Sequence, residues 1–157
     1  MRSSMLPANV DSTQFSETVR RNSIPSLSLT SSSKEPQVRR PRILVVDDER
    51  IIADTMAEIL EGAGFQAAIA YDGWNALQVA GSLQPDYLLS DVLMPRMNGV
   101  DLAIAIQKMY PTARILLFSG QAGITEILRA AQNQGFQFEL IAKPIHPLSV
   151  IARLKEL

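Results

Sequence analysis

The chain of 157 residues has no cysteine, one histidine and one tryptophan. Without thiols there is no disulfide framework, no thiolate metal site and no cysteine nucleophile. The single imidazole, His146 between Ile145 and Pro147, cannot build a histidine-rich metal centre and reads as a loop residue. No apolar run approaches the roughly 20 residues needed to span a bilayer, and Arg2 is not followed by the continuous apolar core of a signal peptide. A cytoplasmic location without membrane attachment is therefore the expectation. What remains is ordinary for a soluble globular chain: 46% hydrophobic and 20% charged residues, enough for one domain with a real core.

The formal net charge of −1 conceals two unlike regions. Residues 1–42 carry seven basic residues (Arg2, Arg20, Arg21, Lys34, Arg39, Arg40, Arg42) against three acidic ones, whereas residues 43–157 carry eight basic against thirteen acidic. An acidic folded part argues against a nucleic-acid surface there. The first 41 residues are rich in Ser and Thr, with Ser31-Ser32-Ser33 before Lys34-Glu35-Pro36. Such a segment buries too little apolar surface to offset its ordering entropy, so a disordered basic leader over 1–41 is expected. A short helix near Asp11–Arg21 is conceivable, and Arg20-Arg21-Asn22-Ser23 has the form of a basophilic kinase site, a pattern common by chance.

From Arg42 the pattern changes to strands alternating with helices. Ile43-Leu44-Val45-Val46 is an unbroken aliphatic run, the mark of a strand buried on both faces of a parallel sheet. Asp47-Asp48-Glu49 follows, then a helix predicted over Arg50–Glu61 from the spacing of Ile51, Ile52, Met56, Ile59 and Leu60, with Gly62 and Gly64 as its stop. Further strands are predicted at Gln66–Ala70, from Pro85-Asp86-Tyr87-Leu88-Leu89 to an end at Asp91, at Arg114–Phe118 and at Phe138–Ala142. The helices between and after them are expected from Trp74 to Gly81 or Ser82, over Gly99–Met109, over Ile124–Gln134, and from Pro147, which suits a first turn, to Leu157. Five such pairs with short loops predict an α/β fold: a parallel sheet covered on both faces by right-handed crossovers.

The chemistry sits where those strands end. Asp47, Asp48, Asp91, Ser119 and Lys143 all fall at the carboxyl ends of strands one, three, four and five, the edge at which open parallel sheets bind ligands. One aspartate there could be a cap or turn former, but two adjacent carboxylates exceed what a cap needs. Three carboxylates brought together require a counter-charge, since like charges raise one another's pKa. Oxygen donors without His or Cys suit a hard cation, Mg²⁺ or Mn²⁺. Asp91 then reads as a carboxylate nucleophile able to carry phosphate. Lys143 and Ser119 could cover the phosphoryl oxygens that a cation does not.

Taken together, Val45-Val46-Asp47-Asp48-Glu49, Asp91-Val92-Leu93-Met94-Pro95-Arg96-Met97-Asn98-Gly99, Ser119-Gly120 and Lys143-Pro144 closely resemble the receiver domain of two-component response regulators, over about residues 42–157. The resemblance implies a flavodoxin-like (βα)5 doubly wound sheet in strand order 2-1-3-4-5. It implies that Asp91 accepts a phosphoryl group from a histidine kinase or phosphotransfer protein. It also implies that Asp48, Asp91 and the Leu93 main-chain carbonyl bind Mg²⁺, with Asp47 acting directly or through water. Ser119 would move toward the phosphate, Lys143 would pair with it, and the Lys143-Pro144 bond would be cis.

Two departures from the family's pattern follow. Leu140 stands three residues before Lys143, where receivers usually carry Tyr or Phe, so a rotating aromatic switch is excluded there; the Ser119–Gly120 loop and fourth helix are expected to signal instead. Leu93 and Gln121 occupy positions that tune dephosphorylation in the family. Trp74 is expected to lie away from the motif strands. With no further domain after the fifth helix, output is expected through a downstream protein or a homodimer face on strand four, helix four and strand five, and the chain is not expected to be a turnover enzyme. Three other readings stay open. A phosphorylation-independent scaffold would keep only the fold. An aspartyl-phosphate phosphatase would need two aspartates spaced two apart on strand one, where here they are adjacent. A DNA binder would act through the basic leader.

Overall fold

A computed structural model of the protein describes residues 36–120 and 123–157. Of the leader expected over 1–41, residues 1–35, with the short helix and the kinase-like site, lie outside the described residues, as does Gln121. One compact unit spans Arg39–Leu157. Its strands are β1 (Arg42–Val46), β2 (Gln66–Ala70), β3 (Tyr87–Asp91), β4 (Arg114–Ser119) and β5 (Glu139–Ala142). Its helices are α1 (Arg50–Gly62), α2 (Gly73–Leu83), α3 (Gly99–Met109), α4 (Thr125–Asn133) and α5 (Pro147–Glu156). The strands pair in parallel in the order β2-β1-β3-β4-β5, as the resemblance implies.

Alternation along the strands divides the core into two layers. Leu44, Val46, Leu88, Ile115 and Leu117 face one side, against Ala76 and Ala80 of α2, Leu102, Ala103 and Ile106 of α3, and Ala131 of α4. Ile43, Val45, Leu89, Leu116 and Phe118 face the other, against Ala53, Met56, Ala57 and Leu60 of α1 and Val150 and Leu154 of α5. The aliphatic runs are long because both faces are covered.

Most differences from expectation are at element ends. Helix α1 includes Gly62, and the turn is made by Gly64 at φ +101°, a left-handed conformation glycine adopts without a Cβ clash. Helix α2 begins one residue early, at Gly73, because Asp72 caps it by accepting the Asn75 N–H at 2.8 Å. Strand β5 starts at Glu139 rather than Phe138. At the head of α5 the loop residue His146 is the N-cap, its Nδ1 accepting the Leu148 N–H at 3.3 Å before Pro147.

Candidate functional site

The register sets the strand tips level with one another. Val46 lies opposite Ser90, Asp91 opposite Phe118, and Ser119 opposite Ala142. The next residue on β1 is Asp47 and the next on β5 is Lys143, so both arrive beside Asp91 at the carboxyl rim. The Lys143 N–H donates to the Ser119 carbonyl at 2.9 Å, extending the β4–β5 pairing by one step. The Lys143-Pro144 peptide bond is cis.

Behind Asp91 the chain turns sharply into α3. Gly99 N–H donates to the Val92 carbonyl at 2.7 Å, and Val92 N–H to the Phe118 carbonyl at 3.0 Å. A Cβ on Gly99 would sit 1.9 Å from the Asp91 carbonyl oxygen, so only glycine admits this approach. Asn98 caps α3, its side chain accepting the Asp101 N–H at 2.8 Å, which fixes the far end of the loop.

One carboxylate oxygen from each of Asp47, Asp48 and Asp91 lies within 4.8 Å of the others. Asp47 is fully buried, Asp91 nearly so, and Asp48 is exposed. Lys143 Nζ is 3.4 Å from Asp91 Oδ2 and 3.6 Å from Asp47 Oδ2. One ammonium therefore serves two buried carboxylates. Asp47 Oδ1 accepts the Glu49 N–H at 2.9 Å, so this aspartate fixes the start of α1 in part, whereas the N-cap itself, Glu49, has no side-chain cap bond. Asp47 Oδ2 is buried and accepts no hydrogen bond.

Burial is the main reason the Asp47 carboxyl is pushed up to about 6; the Glu49 N–H and Lys143 oppose it, and the charges of Asp91 and Asp48 add to it. Asp91 is raised for the same first reason, burial, against the pull of Lys143 and the Leu93 N–H, with Asp48 adding like-charge repulsion. The rim thus holds more negative charge than its one lysine can balance. A buried carboxylate oxygen that accepts no hydrogen bond, two carboxyls raised by desolvation and an all-oxygen donor set fit a hard divalent cation.

These groups line an open cavity of about 340 Å³ formed by Asp48, Glu49, Asp91, Leu93, Ser119, Gly120 and Lys143. Asp48, Asp91, Leu93, Ser119 and Lys143 therefore meet at one rim, with Asp47 buried beside them. Two neighbours were quoted from the sequence only as parts of motifs, and a third was not marked at all. Glu49 and Gly120 line the cavity, and their place in the Asp-Asp-Glu and Ser-Gly pairs was the available signal. Phe118 lies under Lys143, its ring centroid 4.9 Å from Nζ; no motif marks it. Leu140 is half-buried with the α2–α3–α4 layer of the core.

Comparison with known proteins agrees with this geometry. A family model described as the response regulator receiver domain matches residues 43–155. The DNA-binding response regulator MtrA of Mycobacterium tuberculosis is 30% identical over 116 residues, which are 74% of this chain and 50% of MtrA. The chain spans about half the length of the first curated relatives it matches. The chemotaxis protein CheY of Thermotoga maritima is 32% identical over 119 residues, 73% of this chain and 95% of that protein. Among solved structures, Vibrio cholerae CheY4 superposes with a TM-score of 0.67 at 27% identity, covering 75% of this chain and 98% of CheY4.

Proposed function

Since the chain belongs to the response regulator receiver domain family, we propose that it is a phosphoacceptor in two-component signalling, with Asp91 as the acceptor. The observation that carries this is the pairing of Lys143 with two buried, under-neutralised carboxylates at the rim. Asp47, Asp48, Asp91 and the Leu93 carbonyl would hold Mg²⁺ or Mn²⁺. When bound, such an ion neutralises carboxylate and phosphoryl charge as a Lewis acid. The donor is a histidine kinase or phosphotransfer protein. An Asp91 carboxylate oxygen bonds to phosphorus as the P–N bond to the donor's phosphorylated imidazole breaks; with its other nitrogen already protonated, the ring leaves as neutral imidazole. Lys143 then exchanges its carboxylate partners for a phosphoryl oxygen, and the Ser119 hydroxyl donates to another.

The chain on this reading is a switch, not a turnover enzyme, and acts in the cytoplasm; among the described residues no helix is long and apolar enough to cross a membrane. Phosphorylation shifts the balance between two states of the Ser119–Gly120 loop and α4. The β4–α4–β5 face then engages a downstream protein or a second copy. β5 is an edge strand carrying the half-buried Leu140, with the half-buried Phe138 just before it. The donor docks on an apolar groove between α1 and the segment after β5, lined by Ile51, Ile52, Met56, Ile59, Ile145 and Pro147. Ile51, 82% exposed, follows Glu49 by two residues, and Ile145 follows Lys143 by two, so two segments that line the acidic cavity lead directly into the lining of the groove. Ile51→Glu should slow transfer from a protein donor about tenfold, as loss of a buried anchor does, while labelling by acetyl phosphate is unchanged. Equal slowing of both would move the docking site elsewhere.

The direct test is incubation with acetyl phosphate and Mg²⁺, followed by borohydride reduction and peptide mapping. The expected result is one reduced residue, at position 91. A phosphorylation-independent scaffold would give none, and repeated turnover of a phosphomonoester would mark a phosphatase.

A further inference from the structure

Among the described residues Phe118 is the bulkiest fully buried side chain, and it immediately precedes Ser119. Its backbone is tied on both sides: it pairs with Asp91 on β3 and Ile141 on β5, and its carbonyl accepts the Val92 N–H. The ring packs in the layer formed with α1 and α5. It is therefore fixed to the same backbone that carries the candidate acceptor. The Lys143 ammonium stands 4.9 Å from its centroid, inside the roughly 6 Å within which a ring quadrupole attracts a cation.

The rest of the ammonium's surroundings explains why this contact matters. Its two carboxylate partners, Asp47 and Asp91, are the groups a divalent cation would occupy. An arriving cation competes for them and repels the lysine. The attraction that places Lys143 is thus weakest when a phosphoryl group needs it. A ring face is not neutralised by that cation, and an aliphatic residue at position 118 would pack against the lysine stem without attracting its charge.

We propose that Phe118 is a positioning residue whose ring face holds the Lys143 ammonium over the acidic cavity when its carboxylate partners are taken. This rests on the phosphoacceptor reading for its consequence, the aiming of Lys143 at a phosphoryl oxygen on Asp91, but not for the contact itself.

Two measurements on the full chain test it. The first replaces Phe118 with 4-fluoro-, 3,5-difluoro- and 3,4,5-trifluorophenylalanine, which nearly keep the ring's shape while draining negative potential from its face. The rate of Asp91 labelling by acetyl phosphate with Mg²⁺ should fall stepwise, to about one fifth for the trifluoro ring, with the melting temperature unchanged. In a Lys143→Gln background the same series should be flat. A flat series with Lys143 present, or an equal decline without it, overturns the proposal. The second reads the Lys143 Hε protons by NMR. Ring current should shift them upfield in the unaltered chain, and Phe118→Leu should return them to ordinary lysine positions; ordinary positions in the unaltered chain overturn the proposal. If the unaltered chain is never labelled at Asp91, the phosphoacceptor reading fails and the NMR comparison alone decides the contact.

Discussion

Asp86, immediately before β3, and Asp91, the last residue of β3, are the same side chain at opposite ends of one strand. Arg39 donates to both Asp86 oxygens at 2.9 Å, and Arg42 adds its backbone N–H at 2.8 Å and its Nε at 3.4 Å. Partial burial pushes the Asp86 carboxyl up, but these donors outweigh it and hold the group below its usual range. At the other end Asp91 shares one ammonium with Asp47, burial dominates, and both carboxyls are raised. The amino edge of the sheet has its charges satisfied from within the chain. The carboxyl edge does not, and that shortfall of positive charge is what marks it as a site.

The largest contrast should appear on removing each charge. Asp91→Asn should abolish labelling by acetyl phosphate without lowering stability, because it removes a desolvated charge. Asp86→Asn should leave labelling within about twofold but lower stability by about 1 kcal/mol, the scale of lost partly exposed charge-assisted bonds. Labelling assays beside urea unfolding check both, and an exchange of the two outcomes would break the comparison.

Glycines at the two edges sharpen it next. A Cβ at Gly99 would meet the Asp91 carbonyl at 1.9 Å, whereas Gly62, at the far end of α1, has open space around it. Gly99→Ala should cost about 3 kcal/mol through overpacking. Gly62→Ala should be neutral or stabilising by up to about 1 kcal/mol, since alanine is the better helix former. Urea unfolding of the two variants measures this.

The pH dependence should then differ in sign. Asp47 has a folded-state value of about 6 against 3.8, so the folded chain binds this proton more tightly than the unfolded one. Its contribution is most favourable at low pH and is lost as pH rises from 4 to 6, by about 2 kcal/mol in metal-free buffer. Asp86, lowered in the fold, contributes stability above the ordinary carboxylate range that disappears as pH falls through its folded value. Metal-free unfolding curves of Asp47→Asn should lose the decline between pH 4 and 6, and those of Asp86→Asn should lose the acid-side loss instead.

Much of this was legible in the sequence because it is local. The aliphatic run Ile43–Val46 and the polar pairs after each strand are contiguous, so strand order and the residues at the rim followed from pattern and resemblance. Contacts set by register were not legible. Phe118 meets Lys143 only because β4 and β5 pair Phe118 with Ile141 and Ser119 with Ala142, a relation between segments 25 residues apart in number. Nor could the string Asp47-Asp48 say which carboxylate would be buried, since that depends on how β1 ends against Ala70, whose carbonyl accepts the Asp47 N–H at 3.3 Å. The role of Arg39 at Asp86 was hidden too, because it lies in what composition assigned to the leader.

A magnesium titration of thermal stability tests the central claim most directly. If the carboxyl edge lacks a cation, Mg²⁺ should raise the melting temperature of the unaltered chain and of Asp86→Asn along the same saturating curve, and Asp48→Ala should lose the effect. A melting temperature indifferent to Mg²⁺, or a rise that survives Asp48→Ala unchanged, would contradict the account.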